Sequence, residues 1–162
     1  MAQVASQLTA KIQQLLAQGL TSAGAQVVVQ SGITLPDLAP AMVVSGNVSS
    51  DLAEKTTGSQ YPLFRVSCER VSNTLREKFR TFSGQAQMVV EATVTQDRLE
   101  GIEDQLHGCV EAVTAVLDQS RGDWGGGSLY NGGYDVNFSA VRHGGKNFLQ
   151  AARISVVVDV SR

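Results

Sequence analysis

The clearest hydrophobic pattern lies in residues 85–117, where an alternating stretch gives way to a helical one. The alternating stretch has the two-residue period of a strand that buries one face. Its apolar set is Met88, Val90, Ala92 and Val94. The helical stretch repeats every three or four residues. Its apolar set is Leu99, Ile102, Leu106, Cys109 or Val110, Val113 and Leu117. Asp97, with Glu100 three residues later, predicts a capping box at the start of this helix.

The first sixty residues carry weaker patterns. Residues 2–18 have an apolar stripe at helical spacing, and Gly19 is a plausible end for the helix that they predict. Two short apolar runs, in residues 25–30 and 41–48, predict strands. Residues 45–60 are rich in Ser, Thr and Gly, and they predict a long loop.

The remainder of the chain predicts three more strands. Residues 61–71 alternate, and residues 72–84 then form a connection to the central strand, which makes a long hairpin. Residues 134–140 and 148–160 also alternate, and the turn between them spans residues 142–147. The order from residue 61 onward is therefore strand, strand, helix, strand, strand.

These elements predict an α+β fold in a single domain. An antiparallel sheet of four or more strands with one apolar face needs a cover, and the central helix and the N-terminal helix provide it. We expect residues 61–162 to form this core of sheet and helix, with residues 1–60 adding the first helix, short strands and the loop. A charge at Val113 or Ile154 should break the fold, because a buried unpaired charge has no compensation.

Composition narrows the class of protein. The chain has 162 residues and a net charge of -2, which argues against a nucleic-acid binder with a generally basic surface. Two cysteines, Cys68 and Cys109, cannot make a disulfide framework and read as small buried hydrophobic residues. No signal peptide or membrane-spanning run is recognisable. We expect a protein made in a reducing cytoplasm.

Candidate chemistry is sparse. Neither histidine has a second ligand at metal-binding spacing, and the glycine-rich residues 121–133 lack the lysine of a phosphate-binding loop. That segment predicts a flexible connection anchored by Trp124 and Tyr130. We expect no catalytic residue, metal or cofactor. The alternative of another class, a small ligand-binding domain or enzyme, requires a pocket around Cys68, Tyr134 and His143.

The order of landmarks resembles the tail terminator (tail completion) proteins of long-tailed bacteriophages, with the related neck proteins as a close second. The similarity covers most of the chain and is best from Tyr61 onward. The landmarks are the amphipathic first helix, the Tyr61-Pro62-Leu63-Phe64 entry, the long hairpin connection, the strand at residues 85–91, the central helix, the Gly133-Tyr134-Asp135 element and the last strand.

The resemblance implies a structural protein of the virion with no catalytic site. Such proteins form a ring, typically hexameric, that caps the tail tube, ends its polymerisation and joins the tail to the head. DNA passes through the opening without sequence recognition. The alternative within the same virion is a neck or head-completion (connector) protein.

Charge and loop position suggest which residues of such a ring make contacts, although an ordinary surface of mixed charge also explains the charge pattern. The outer face of the central helix is acidic, whereas the hairpin connection and the final turn are basic, so that copies could pack head to tail. Loops and hairpin tips can vary their contacts without disturbing a core. The predicted assembly contacts are Arg76, Lys78, Phe79, Arg80, Trp124, Arg142, His143 and Lys146.

Overall fold

The computed structural model describes residues 2–46 and 61–162. The helices are α1 (Ala2–Ser31), a short 3-10 turn (Pro40–Met42) and α2 (Ile102–Gln119). The first strands are β1 (Val43–Ser45), β2 (Leu63–Asn73) and β3 (Ser83–Gln96). The later strands are β4 (Gly122–Gly125), β5 (Ser128–Tyr130), β6 (Asp135–Phe138), β7 (Arg142–Gly144) and β8 (Asn147–Ser161).

All strands of the described residues belong to one sheet, in the order β1-β2-β3-β8-β5-β4, with β6 and β7 also paired to β8. The pairs are antiparallel except β1 with β2, which is parallel. One edge of β8 pairs with β3 along its length, and the other edge pairs in turn with β7, β6 and β5. The predicted α+β class is confirmed, with more strands than the four of the sequence pattern.

The alternating patterns place the core between the sheet and the two helices. Met88, Val90, Ala92 and Val94 of β3 are all fully buried. They face the helices together with the even-numbered residues of β8. Val113 and Ile154 are 0% exposed, as predicted. The opposite face carries polar residues such as Arg153, which donates to Glu69 at 2.9 Å, together with Val89 and Thr93, which are also buried.

Helix α1 continues thirteen residues beyond its predicted end. The strand predicted at residues 25–30 is wrong, because this segment is the last part of α1. Leu20, Ala23 and Val27 extend the buried stripe at spacings of three and four, which is the helical period. Gly19 does not end the helix but lies against α2, where an added Cβ would stand 3.2 Å from a Val116 methyl.

The start of α2 also differs from the prediction. The helix begins at Ile102 after Gly101, whose φ of 81° is left-handed and suits glycine. No side chain caps it, so the predicted capping box at Asp97 is wrong. Leu99 is 58% exposed and lies before the helix, whereas the other predicted apolar positions are buried.

The two loop predictions have different outcomes. The glycine-rich segment is not a loose connection but the hairpin β4–β5, whose turn lies at Gly126 and Gly127. Most of the loop predicted at residues 45–60 lies outside the described residues. Of the strand predicted at residues 41–48, β1 forms after the 3-10 turn, and residues 47–48 lie outside the described residues.

Cys109 on α2 is buried, as predicted for a small hydrophobic residue. This burial changes the pKa of its thiol. Removal from water raises the pKa of this thiol from 9.0 to about 12. Between these values the unfolded chain loses the proton and the folded chain keeps it, so stability falls as pH rises. We expect the free energy of unfolding to fall by about 1 kcal/mol more per pH unit above pH 9 than in Cys109→Ala. Urea titrations of both proteins from pH 7 to 11 measure this difference. Parallel curves of unfolding free energy against pH for wild type and Cys109→Ala would contradict the prediction.

Candidate functional site

The predicted assembly contacts divide between the two ends of the sheet. At the first end β3 begins and β8 ends, and Ser83 pairs with Ser161. We call this the β2–β3 end, and it holds Arg76, Lys78, Phe79, Arg80 and, on the neighbouring hairpin, Trp124. At the second end, the β7–β8 end, lie Arg142, His143 and Lys146. The 14 residues of β3 separate the ends by roughly 40 Å.

Residues 74–82, the β2–β3 connection, are fixed at their base by hydrogen bonds. The Ser83 carbonyl oxygen accepts from the backbone N–H groups of Thr74 and Leu75 at 2.8 and 2.9 Å. The N–H groups of Thr81 and Phe82 both donate to the main-chain oxygen of Arg162 at 2.8 Å. The connection therefore projects from the end of the sheet on a defined base.

The tip of this connection, residues 75–80, exposes two apolar side chains. Phe79 is 103% exposed, and Leu75 is 60% exposed. Both have positive φ, 65° and 48°, a region that non-glycine residues rarely adopt. The other aromatic residue of the connection, Phe82, is buried in the core instead. Only one of the two aromatics that the sequence places here is thus free for a partner.

The tip is also basic. Arg80 lies 3.6 Å from the Glu77 carboxylate, and both side chains are half exposed. Glu77 in turn accepts from the Ser161 hydroxyl at 2.7 Å. Among the described residues, neither Arg76 nor Lys78 has an ion-pair partner. The tip therefore presents an aromatic ring among cations that are free to meet acidic groups.

Trp124 is an anchor rather than a projecting contact. Its ring packs on the core and lies 5.2 Å from the Tyr130 ring. Its indole N–H donates to the Ser120 carbonyl at 2.7 Å. The Tyr130 hydroxyl donates to the Gly133 carbonyl at 3.0 Å. Burial and the Asp118 carboxylate raise the pKa of Tyr130 and keep it a neutral donor. The predicted anchoring is confirmed.

The β7–β8 end carries the remaining predicted contacts. His143 lies in β7 rather than in the turn, and its ring meets Phe148 edge to face at 5.6 Å. Arg142 is partly buried in the same strand. Lys146 is exposed in the turn that joins β7 to β8.

A cleft at this same end was not predicted. It measures about 800 Å³ and lies between the segment that follows α1 and the start of α2. Ile33, Leu35 and Pro36 form one side, and Glu100 and Asp104 form the other. Gln96 and Gln105 also line the cleft, and the Gln96 side-chain amide donates a hydrogen bond of 2.6 Å to the Gln105 side-chain oxygen. The acidic start of α2 is the part of the cleft that is visible in the sequence. The apolar side comes from the segment after α1, about seventy residues earlier in the chain.

The pocket proposed for an enzyme or ligand-binding domain does not assemble. Cys68 pairs with Met88, which pairs with Val156, whereas His143 pairs with Phe148. Along β8, the position level with Cys68 (Val156) and the position level with His143 (Phe148) are therefore eight residues apart, a distance of roughly 25 Å. Desolvation raises the pKa of the Cys68 thiol, which opposes its use as a nucleophile.

Two further searches concern the residues that the structure describes. Within residues 2–46 and 61–162, no group of three or more His, Cys, Asp or Glu side chains could hold a metal ion. No helix in the same ranges combines the length and the apolar character needed to cross a membrane. No protein-family model matches the chain, and no curated protein matches it either.

Proposed function

We propose that this protein is a structural subunit of a phage virion, a tail terminator that forms a ring on the end of the tail tube. The observation that carries the proposal is Phe79, a fully exposed aromatic side chain among bases on a firmly based tip. Exposed aromatic and arginine side chains are the residue types that carry most binding energy in protein interfaces. Such a tip is a means of joining proteins.

The two-ended layout supports a joining role in particular. The tip occupies one end of the sheet, and the β7–β8 hairpin with the acidic cleft occupies the other. A rigid sheet with a basic tip at one end and a cleft with an acidic rim at the other can contact two neighbouring subunits at once. A ring of such subunits, six by analogy with the resembling family, would meet the tube protein on one side and the neck on the other, with DNA crossing its opening.

The proposed role is one of assembly, and it requires no catalytic group. It places the protein in the virion at the junction of tail and head after synthesis in the host cytoplasm. A neck or connector protein would use the same architecture with a different partner. The partner therefore decides between the two roles.

We expect the variant Arg76→Glu, Lys78→Glu, Arg80→Glu to fold normally and to lower the yield of complete particles at least tenfold, because reversed charges repel the partner that the tip meets. The measurement is electron microscopy of purified protein mixed with tail tubes, together with particle yield after complementation. Density that caps the tube end supports the terminator.

The matched control is Lys11→Glu, which changes a base on α1 outside the tip, and it should leave the yield unchanged. Normal yield from the reversed tip would remove it from the contact surface. Binding to head connectors without binding to tubes would replace the terminator by the neck role.

A further inference from the structure

We infer that the tip of one copy docks into the acidic cleft of the next copy, so that Phe79 enters the cleft and the neighbouring bases meet Glu100 and Asp104. The inference rests on the proposed ring and names the contact that joins its subunits. It commits to a second copy of this chain as the occupant, because the two surfaces are complementary in charge and in apolar character.

The cleft has the size and lining that an aromatic side chain needs. The cleft is a groove of about 800 Å³ that is open to solvent, which leaves room for an aromatic ring to lie against its apolar side. Leu35 holds the apolar side of the cleft in place by packing against α2 at Gly108. A Cβ added at Gly108 would stand 3.0 Å from a Leu35 methyl group. The segment leaves α1 through Gly32, whose N–H donates to the Val28 carbonyl at 3.0 Å.

The charges of the cleft complement those of the tip. Glu100 and Asp104 are exposed on its rim, and within the described part of the chain neither has an ion-pair partner. Arg76 and Lys78 on the tip stand equally unpaired there. Exposed single pairs contribute little, but charges around a desolvated aromatic anchor set register and partner choice.

The positions of the two surfaces determine the kind of assembly. The tip extends from the start of β3, and Gln96 at the end of β3 lines the cleft. One copy therefore offers its tip to one neighbour and its cleft to the other. Such a head-to-tail contact is heterologous, and it gives a ring where the rotation between copies closes.

The experiment uses sedimentation velocity of the full chain over a range of concentrations and salt. We expect wild-type protein to self-associate, more weakly at high salt because ions screen the charges. Phe79→Ala should weaken association at least tenfold, as expected for loss of an aromatic anchor. The control is Val157→Ala, which truncates another exposed apolar side chain, 48% exposed on the open face of the sheet, and it should have no effect.

A charge exchange makes the test specific to this pair of surfaces. The tip variant Arg76→Glu, Lys78→Glu and the cleft variant Glu100→Lys, Asp104→Lys should each stay monomeric, and a mixture of the two should associate again. Glu111→Lys, on α2 outside the cleft, is the control and should behave as wild type. Each variant must first show a wild-type circular dichroism spectrum and melting temperature.

The outcomes separate the inference from the proposed function. Wild-type protein that remains monomeric at about 1 mM, where even a contact of about -4 kcal/mol would half assemble, overturns the inference. So does association that survives Phe79→Ala, or single charge variants that the mixture does not rescue. Protein that self-associates as expected but never binds tail tubes leaves the inference standing and overturns the terminator role.

Discussion

Ile154→Asp should abolish the folded state. Ile154 is 0% exposed at the middle of β8, where it pairs with Val90 on one side and Val136 on the other. The change removes a buried aliphatic side chain, which costs 2 kcal/mol or more. It also places a carboxylate in a site without a partner, which adds several kcal/mol. The sum, upward of about 5 kcal/mol, matches the total stability of a typical domain.

The measurement is circular dichroism and urea unfolding of the purified variant at neutral pH. Val157→Asp provides a control on the same strand, three residues away, because Val157 is 48% exposed on the face that the helices do not cover. The control should change the free energy of unfolding by less than about 1 kcal/mol. A cooperative transition of Ile154→Asp close to that of the control would show that the helices do not close this face.

The sequence predicts the centre of this fold well, because there the local pattern and the tertiary burial agree. In β8 the alternation of apolar and polar residues matches the two faces from Gln150 onward, and in β3 the predicted apolar set is fully buried although Val89 and Thr93 of the other face are buried too. In α2 the predicted apolar positions from Ile102 to Leu117 are all buried. Where one face is buried and the other is wet, periodicity alone identifies the element.

The errors lie where a local signal opposes tertiary packing. Gly19 has a poor helix propensity, yet at this site its missing side chain lets α1 approach Val116 closely. The consecutive valines that follow suggested a strand, although Val27 is buried and Val29 is 85% exposed, as a helix requires. Propensity is a weak guide once two helices pack in contact.

The candidate site was only half accessible to sequence analysis. A basic connection with Phe79 is visible as a run of residue types, and its prediction as a projecting tip agrees with the structure. The cleft forms only when the segment after α1 packs near the start of α2, and no local sequence pattern predicts this long-range contact. Nor could sequence distinguish Phe79 from Phe82, since only the folded structure shows that the Phe82 ring is buried and the Phe79 ring is exposed.

The β4–β5 hairpin connects the core to the tip, although its composition suggested a loose loop. Gly127 accepts from the Ser161 N–H at 2.9 Å, and its φ of 79° is one that glycine adopts readily. Ser161 also donates to Glu77 in the β2–β3 connection. Glycine here serves a specific turn, and the hairpin it forms supports the surface that we propose for assembly.

Tyr130→Ala should therefore destabilise the domain and weaken assembly together. Among the residues that the structure describes, Tyr130 is the largest fully buried side chain, and its ring packs against Trp124. Truncation of a buried aromatic residue costs about 3–5 kcal/mol. Tyr130→Phe keeps the ring and loses only the hydrogen bond to Gly133, so we expect about 1 kcal/mol. Urea unfolding measures both changes, and sedimentation of the folded fraction measures assembly.

Tyr134→Ala is the matched control, since Tyr134 is the same residue type but 38% exposed, and it should cost much less than Tyr130→Ala. If the hairpin fixes the tip, Tyr130→Ala weakens self-association even at temperatures where the variant is fully folded, whereas Tyr130→Phe does not. Equal stability of Tyr130→Ala and Tyr134→Ala would mean that the hairpin lies outside the cooperative core. The tip would then rest on β2, β3 and Arg162 alone.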